Sequence, residues 1–259
     1  MPQVGWLDSS GKPVAFADAL AISEAEGSWS NIPHEVLSLI EQQVTKDRPD
    51  GITVTQLLGC PRKVFLEKQT DYYQTPMDNW PALRGTIVHA MLEQQGGGGA
   101  SVEVRYEKEL RDWKSTNNLP KYDSVYSSHR LQVNLYRWLM DLDPRFTEIE
   151  VVYISMDGVK AIPLKRGGTS RYGRAIADEL MSNEQVEEYL DKRLFTLYAQ
   201  NEAQKPLAYH NVDEEDLWNC NYCPVKNLCY KMAADEAKAA FIKDEPVNRV
   251  PPRQRKEKK

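Results

Sequence analysis

Four cysteines constrain this chain most: Cys60 stands alone, and Cys220, Cys223 and Cys229 follow more than 150 residues later in C-x2-C-x5-C spacing. In a reducing compartment, clustered cysteines point to metal binding before disulfides. Four thiolates suit either a tetrahedral zinc or a [4Fe–4S] cluster. One shared centre would tie the late segment to the region around Cys60, so everything between must return on itself.

The intervening chain reads as alternating helices and strands. Thr53 or Thr55 caps a helix expected to carry Leu57, Leu58 and Cys60. "RGTIVHAMLEQQ" has helical periodicity, with Ile87, Met91 and Val88 as inward positions, and stops at four consecutive glycines, residues 96–99. "SVEVRY" and "ELRDWKS" alternate as strands. A two-residue turn at Glu107 and Lys108 would place Glu103 directly opposite Asp112. "SSHRLQVNLYRWLMDLDP" is an amphipathic helix with Leu131, Leu135, Trp138 and Leu142 as its stripe and Pro144 as its stop. "EIEVVYISMDGVKAIPLK" reads as a hairpin turning at Asp157 and Gly158, and a long helix is expected from Tyr172 to Gln200 with a break near Ser182.

Three regions follow. Residues 1–50 form a partly helical N-terminal extension, residues 51–243 the main domain, and residues 244–259 a disordered basic tail rich in proline. A net charge of −5 argues against nonspecific polyanion binding by the whole surface but leaves room for a local nucleic-acid site. No apolar run is long enough to cross a bilayer, and the first residues lack a basic start followed by an apolar stretch. A cytoplasmic location and no membrane partner are the expectation.

The chemistry is concentrated in "RDWKS". Asp112 and Lys114 alternate onto one face of a strand. A carboxylate there suits a divalent ion that activates water, and the lysine suits orienting that water or offsetting charge on a phosphate. The tripeptide alone is weak evidence, because acid and base alternate on many solvated strands.

Its neighbours add specificity. "RGTIVHAMLE", "DWKST", "QVNLY" and the one-plus-three cysteines occur in an order that resembles the PD-(D/E)XK nuclease superfamily. The arrangement is most similar to its iron-sulfur branch of CRISPR-associated RecB-like exonucleases and AddB nuclease domains. The resemblance spans about residues 51–235 and implies an α/β, restriction-endonuclease-like core: a small mixed central sheet flanked by helices, plus a C-terminal segment stapled by a [4Fe–4S] cluster on Cys60, Cys220, Cys223 and Cys229. It further implies a Mg2+- or Mn2+-dependent deoxyribonuclease, an exonuclease preferring single strands or free ends. His89, Asp112 and the carbonyl of Trp113 would be metal ligands, Lys114 the catalytic lysine, and Gln132 and Tyr136 the pair beside the scissile phosphate. Arg62 and Lys63, just after Cys60, are expected to offer charge to a DNA backbone, and Trp80, Trp113 and Tyr73 are candidates for stacking on bases.

The chain departs from the family pattern between His89 and Glu103, where a strand and a G-x-x-D motif are normally found. Here the segment is short and holds the four glycines. Three readings stay open: Glu103 replaces the missing aspartate as metal ligand, the glycines are a linker in place of a loose segment, or the site is disabled. Two functional rivals accompany them: a non-catalytic DNA-binding or assembly module, and a zinc-stabilised protein. His34, His129 and His210 have no evident partners and read as ordinary polar residues.

Overall fold

The computed structural model describes residues 4–7, 10–15, 19, 51–75, 83–88, 102–105, 109–145, 147–155, 157–169, 175–176 and 178–242. The helical segments expected at residues 17–27, apart from Ala19, and at residues 34–44, with His34, Trp80, His89, Met91, the glycine run and the basic tail, lie outside them.

A four-stranded mixed sheet carries the middle of the chain: β4 (Val102–Arg105), β5 (Glu109–Ser115), β6 (Glu148–Ser155) and β7 (Gly158–Pro163), in that spatial order. The β5–β6 pair is parallel and the two outer pairs are antiparallel. Parallel neighbours need a crossover, and the helix Ser127–Leu139, α3, lies between β5 and β6 in the chain and packs on both. The hairpin turns one residue earlier than expected: Ser155 pairs with Gly158, whose φ of 132° is open to glycine and strained for other residues. One sheet face buries Leu110, Ile149, Val151, Tyr153 and Ile162 with Val133 of α3.

Two further layers complete the fold. Helices α1 (Val54–Leu58), α2 (Pro61–Gln69) and α4 (Asn183–Ala203) join α3 around Leu57, Val64, Leu135, Val186, Leu190 and Leu197. Helix α5 (Lys226–Ile242) meets α2 and β3 (Tyr72–Gln74) through Phe65, Leu66, Tyr72, Val225 and Cys229. β3 runs parallel to β1 (Val4–Leu7), which also pairs with β2 (Pro13–Val14). A boundary at Gly51 therefore cuts through a sheet, because residues 4–7 hydrogen-bond to residues 72–74. A two-stranded ribbon, β8 (Gly168–Thr169) with β9 (Ala175–Ile176), precedes α4.

Local chemistry explains where the expected elements shift. Thr53 caps α1 in a capping box with Gln56, but α1 ends at Leu58 and Cys60 falls between two helices. Pro61 at the first turn of α2 is the reason, since it starts a helix well and cannot continue one. The long helix begins only at Asn183, because Ser182 and Gln185 form a second capping box. α3 stops at Leu139, well before Pro144, and Asp141 adopts a left-handed φ of 53°. Its buried set also includes polar groups: Asn134 bonds the backbone of Arg130, Glu179 and Met181, and Arg137 bonds Leu142 O, Met181 O and Asn183 Oδ1. These bonds fasten the lead-in of α4 to α3.

The largest correction concerns β4. Val102 pairs with Asp112 and Glu103 with Arg111, one residue away from the expected register. Three residues, not two, separate the strands, and a one-residue slip moves a position to the other sheet face. Glu103 thus takes a register position on the face of Arg111, and its expected opposition to Asp112 does not hold.

Candidate active site

Alternation along β5 sends Asp112 and Lys114 to the face covered by α3, while Arg111 and Trp113 take the other. On that other face Arg111 bonds Glu109 and Glu150 and lies 5.9 Å from the centre of the Trp113 ring. The Trp113 ring therefore lies on the sheet face opposite Asp112 and Lys114.

Asp112 is fully buried, and Lys114 Nζ donates to its Oδ1 at 3.1 Å. The same ammonium is 2.9 Å from Oδ2, but without hydrogen-bond geometry, so that buried oxygen has no hydrogen-bond partner. Burial pushes the Asp112 carboxyl above its ordinary range, with Lys114 only partly opposing. A buried carboxylate with one oxygen left without a hydrogen bond suits a divalent cation as an added partner. Asp112 therefore fits one ligand position. Among the described residues no group of three or more His, Cys, Asp and Glu side chains stands ready to hold a metal, and His89 is outside them.

α3 supplies the roof. Gln132 Nε2 donates to Tyr136 Oη at 3.0 Å, one helical turn away. Burial raises the Tyr136 phenol pKa, Gln132 partly opposes this, and the Asp112 charge adds to the rise. His129, dismissed on sequence, belongs to the same cluster. Its Nδ1 lies 3.1 Å from Tyr153 Oη, and Tyr153 pairs directly with Lys114 across the parallel ladder. The spacing His129, Gln132, Tyr136 is i, i+3, i+7, one helix face, and that periodicity was the available signal. A helical run over residues 83–88 approaches from the other end: a Cβ on Gly85 would meet Ser115 Oγ at 3.6 Å, and Arg84 bonds Asn117.

Burial, followed by the Lys114 charge, lowers the His129 pKa to about 4 from 6.5. A base with a depressed folded pKa contributes stability above its unfolded pKa, and that contribution is lost as pH falls through the folded value. Between pH 6.5 and about 4 the protein should therefore lose stability, by at most about 3 kcal/mol from this group. In His129→Gln the same acid ramp should flatten in urea titrations. An equal ramp in both proteins would assign it elsewhere.

The family model of the PD-(D/E)XK nuclease superfamily matches residues 102–230, which span β4, β5, α3 and the three late cysteines but not Cys60. The chain carries a PD-(D/E)XK nuclease domain. Nucleases of this superfamily act on DNA with divalent metals such as Mg2+ or Mn2+. A solved structure described as "Crystal structure of SSO0001" is 16% identical, with a TM-score of 0.46 over 75% of this chain and 93% of that one. No curated protein matches. No described helix of the nuclease is long and apolar enough to cross a membrane.

The nuclease domain also gathers the four cysteines. Cys60, Cys220, Cys223 and Cys229 line one small pocket with Tyr209 and Tyr230. Burial pushes the Cys60 thiol up to about 11 and Cys223 up to about 12, and raises Cys229 against the pull of Arg62. The sulfurs are collected but no three of them are set as metal ligands, so the pocket as built does not fit a cluster or zinc without adjustment. Arg62 is not available to DNA: it is fully buried, bonded to Leu207 O, Glu236, Cys229 Sγ and Cys229 O. Lys63 keeps partial exposure beside Glu67.

Proposed function

We propose that this protein is a divalent-metal-dependent deoxyribonuclease of the cytoplasm, an exonuclease acting on single strands or free ends. The observation that carries the reading is Asp112: buried, with one oxygen unpartnered, beside the Lys114 ammonium on the strand matched by the superfamily. Asp112, His89 and the Trp113 carbonyl would hold Mg2+ or Mn2+, which lowers the pKa of bound water and offsets charge on the phosphate. Lys114 orients the attacking water, and Gln132 and Tyr136 position the phosphate. Glu103 is the weakest member of the ligand set, since its register position opposes Arg111. Residues 51–243, together with the strand at residues 4–7 that pairs with β3, would make up the catalytic domain, with residues 244–259 a basic tail.

The resemblance implies a structural [4Fe–4S] cluster on the four cysteines, which line one pocket, but their sulfurs would have to move to hold it. Zinc is the alternative, and iron, sulfide and zinc content of anaerobically prepared protein separates the two.

The function is tested with end-labelled single-stranded DNA. Degradation should require Mn2+ or Mg2+ and stop with chelator. A folded protein that binds DNA but never cuts it would leave the non-catalytic module, which the shortened segment at residues 96–99 favours.

A further inference from the structure

We infer that the loop from Thr116 to Tyr126 is a base-stacking platform for single-stranded DNA, with Tyr122 and Tyr126 as its rings. The inference rests on the nuclease reading for its substrate and on this loop for everything else.

The loop leaves β5 directly after the Asp112–Lys114 strand, and it is held down along its length. Thr116 N donates to Ile154 O at 2.9 Å, Thr116 Oγ1 donates to Asn118 O at 3.0 Å, and Arg84 bonds Asn117. Lys160 of β7 then donates to Pro120 O at 3.0 Å and to Tyr122 O at 3.4 Å, and pairs with Asp123 at 3.0 Å. Pro120 and Val125 are buried beneath.

From this pinned backbone Tyr122 projects with 79% of its surface exposed and Tyr126 with 45%. Exposing large aromatic rings from an ordered loop forgoes burial that a folded chain normally seeks. Tyr126 is braced edge-on against both His129 and Tyr153, at centroid distances of 5.7 and 5.5 Å. Register fixes how close this is to the chemistry. Lys114, Tyr153 and Lys160 are consecutive cross-strand partners, so Lys160, which grips Tyr122, sits about 10 Å from Lys114, two strand spacings.

Charge identifies the occupant. The whole chain is acidic, yet from Ser115 to Arg130 the cations are Lys121 and Arg130, and the lone acid is Asp123, which Lys160 neutralises. Aromatic faces with cations along a path to a phosphodiester site suit a strand whose bases are unpaired, because a duplex hides its base faces.

The test is fluorescence anisotropy of a labelled single-stranded oligonucleotide and a duplex of equal length, in chelator so that nothing is cut. Tyr122→Ala should weaken single-strand affinity about tenfold, Tyr122→Phe should restore it, and duplex affinity should stay put. Tyr126→Phe keeps the ring and should behave as the parent. Unchanged single-strand affinity in Tyr122→Ala, equal loss for both DNAs, or no DNA binding by the parent overturns the platform. A parent that cuts DNA while Tyr122→Ala binds normally refutes the platform alone. A parent that binds through Tyr122 but never cuts supports the platform and refutes the nuclease.

Discussion

Lys114→Ala lowers the rate of metal-dependent DNA cleavage by about a hundredfold or more, the usual cost of removing one preorganised stabiliser of developing charge. The reason lies in how few charges the described residues bring to the site. Lys114 Nζ is within 3.1 Å of both Asp112 oxygens, and its neighbours on α3 are a neutral imidazole, an amide and a phenol. None of these replaces a lost positive charge. DNA affinity, read by anisotropy in chelator, should fall far less than the rate, because the binding path extends along the loop beyond β5. Lys114→Arg keeps charge but changes its geometry and should rescue the rate only weakly. Full activity in Lys114→Ala would remove Lys114 from the reaction.

The second large effect is on stability. Arg62→Ala should cost about 3–5 kcal/mol, the range for breaking a buried ion pair by deleting one partner. Arg62 is fully buried, and its guanidinium bonds Glu236 at 2.8 Å, Leu207 O at 2.5 Å and Cys229 Sγ at 3.2 Å. Removal leaves the Glu236 carboxylate and two carbonyls short of donors between α2 and α5. A chemical denaturation midpoint shows the loss directly, and Arg62→Lys, which keeps charge but not the fork, should recover part of it. Glu236→Gln should be milder, because Glu236 retains some exposure and glutamine can still accept. A midpoint in Arg62→Ala matching the parent would mean the bonds form equally well with solvent.

How much of this was readable beforehand depended on whether a signal was local. The capping residues Thr53 and Ser182, the turn at Gly158 and the α3 helix are written in neighbouring residues, and they fold as their local chemistry dictates. Asp112 with Lys114, and Gln132 with Tyr136, were likewise legible because strand and helix periods fix which residues share a face. What failed depended on distance or on counting. The β4 register hinged on one residue of turn length, and that residue decided the face of Glu103. Arg62 looked like a surface cation because nothing near it in sequence reveals that Glu236 will come to meet it. His129 was passed over as a lone histidine, when its spacing to Gln132 and Tyr136 already put it on the site face. Tyr122 and Tyr126 escaped because exposure is a tertiary property that no periodicity encodes.

The pairing of β1 with β3, and of Arg62 with Glu236, bears on the order in which a ribosome delivers this chain. Residues 4–7 emerge first, yet their parallel partners at residues 72–74 follow only after a wait of several seconds at about 5–20 residues per second. The guanidinium of Arg62 waits longer still, since Cys229 and Glu236 come late. Until then α2 keeps an unburied charge on the face that will become its core. The cysteine pocket thus closes late, and it stays open to solvent until residues near 236 have left the exit tunnel.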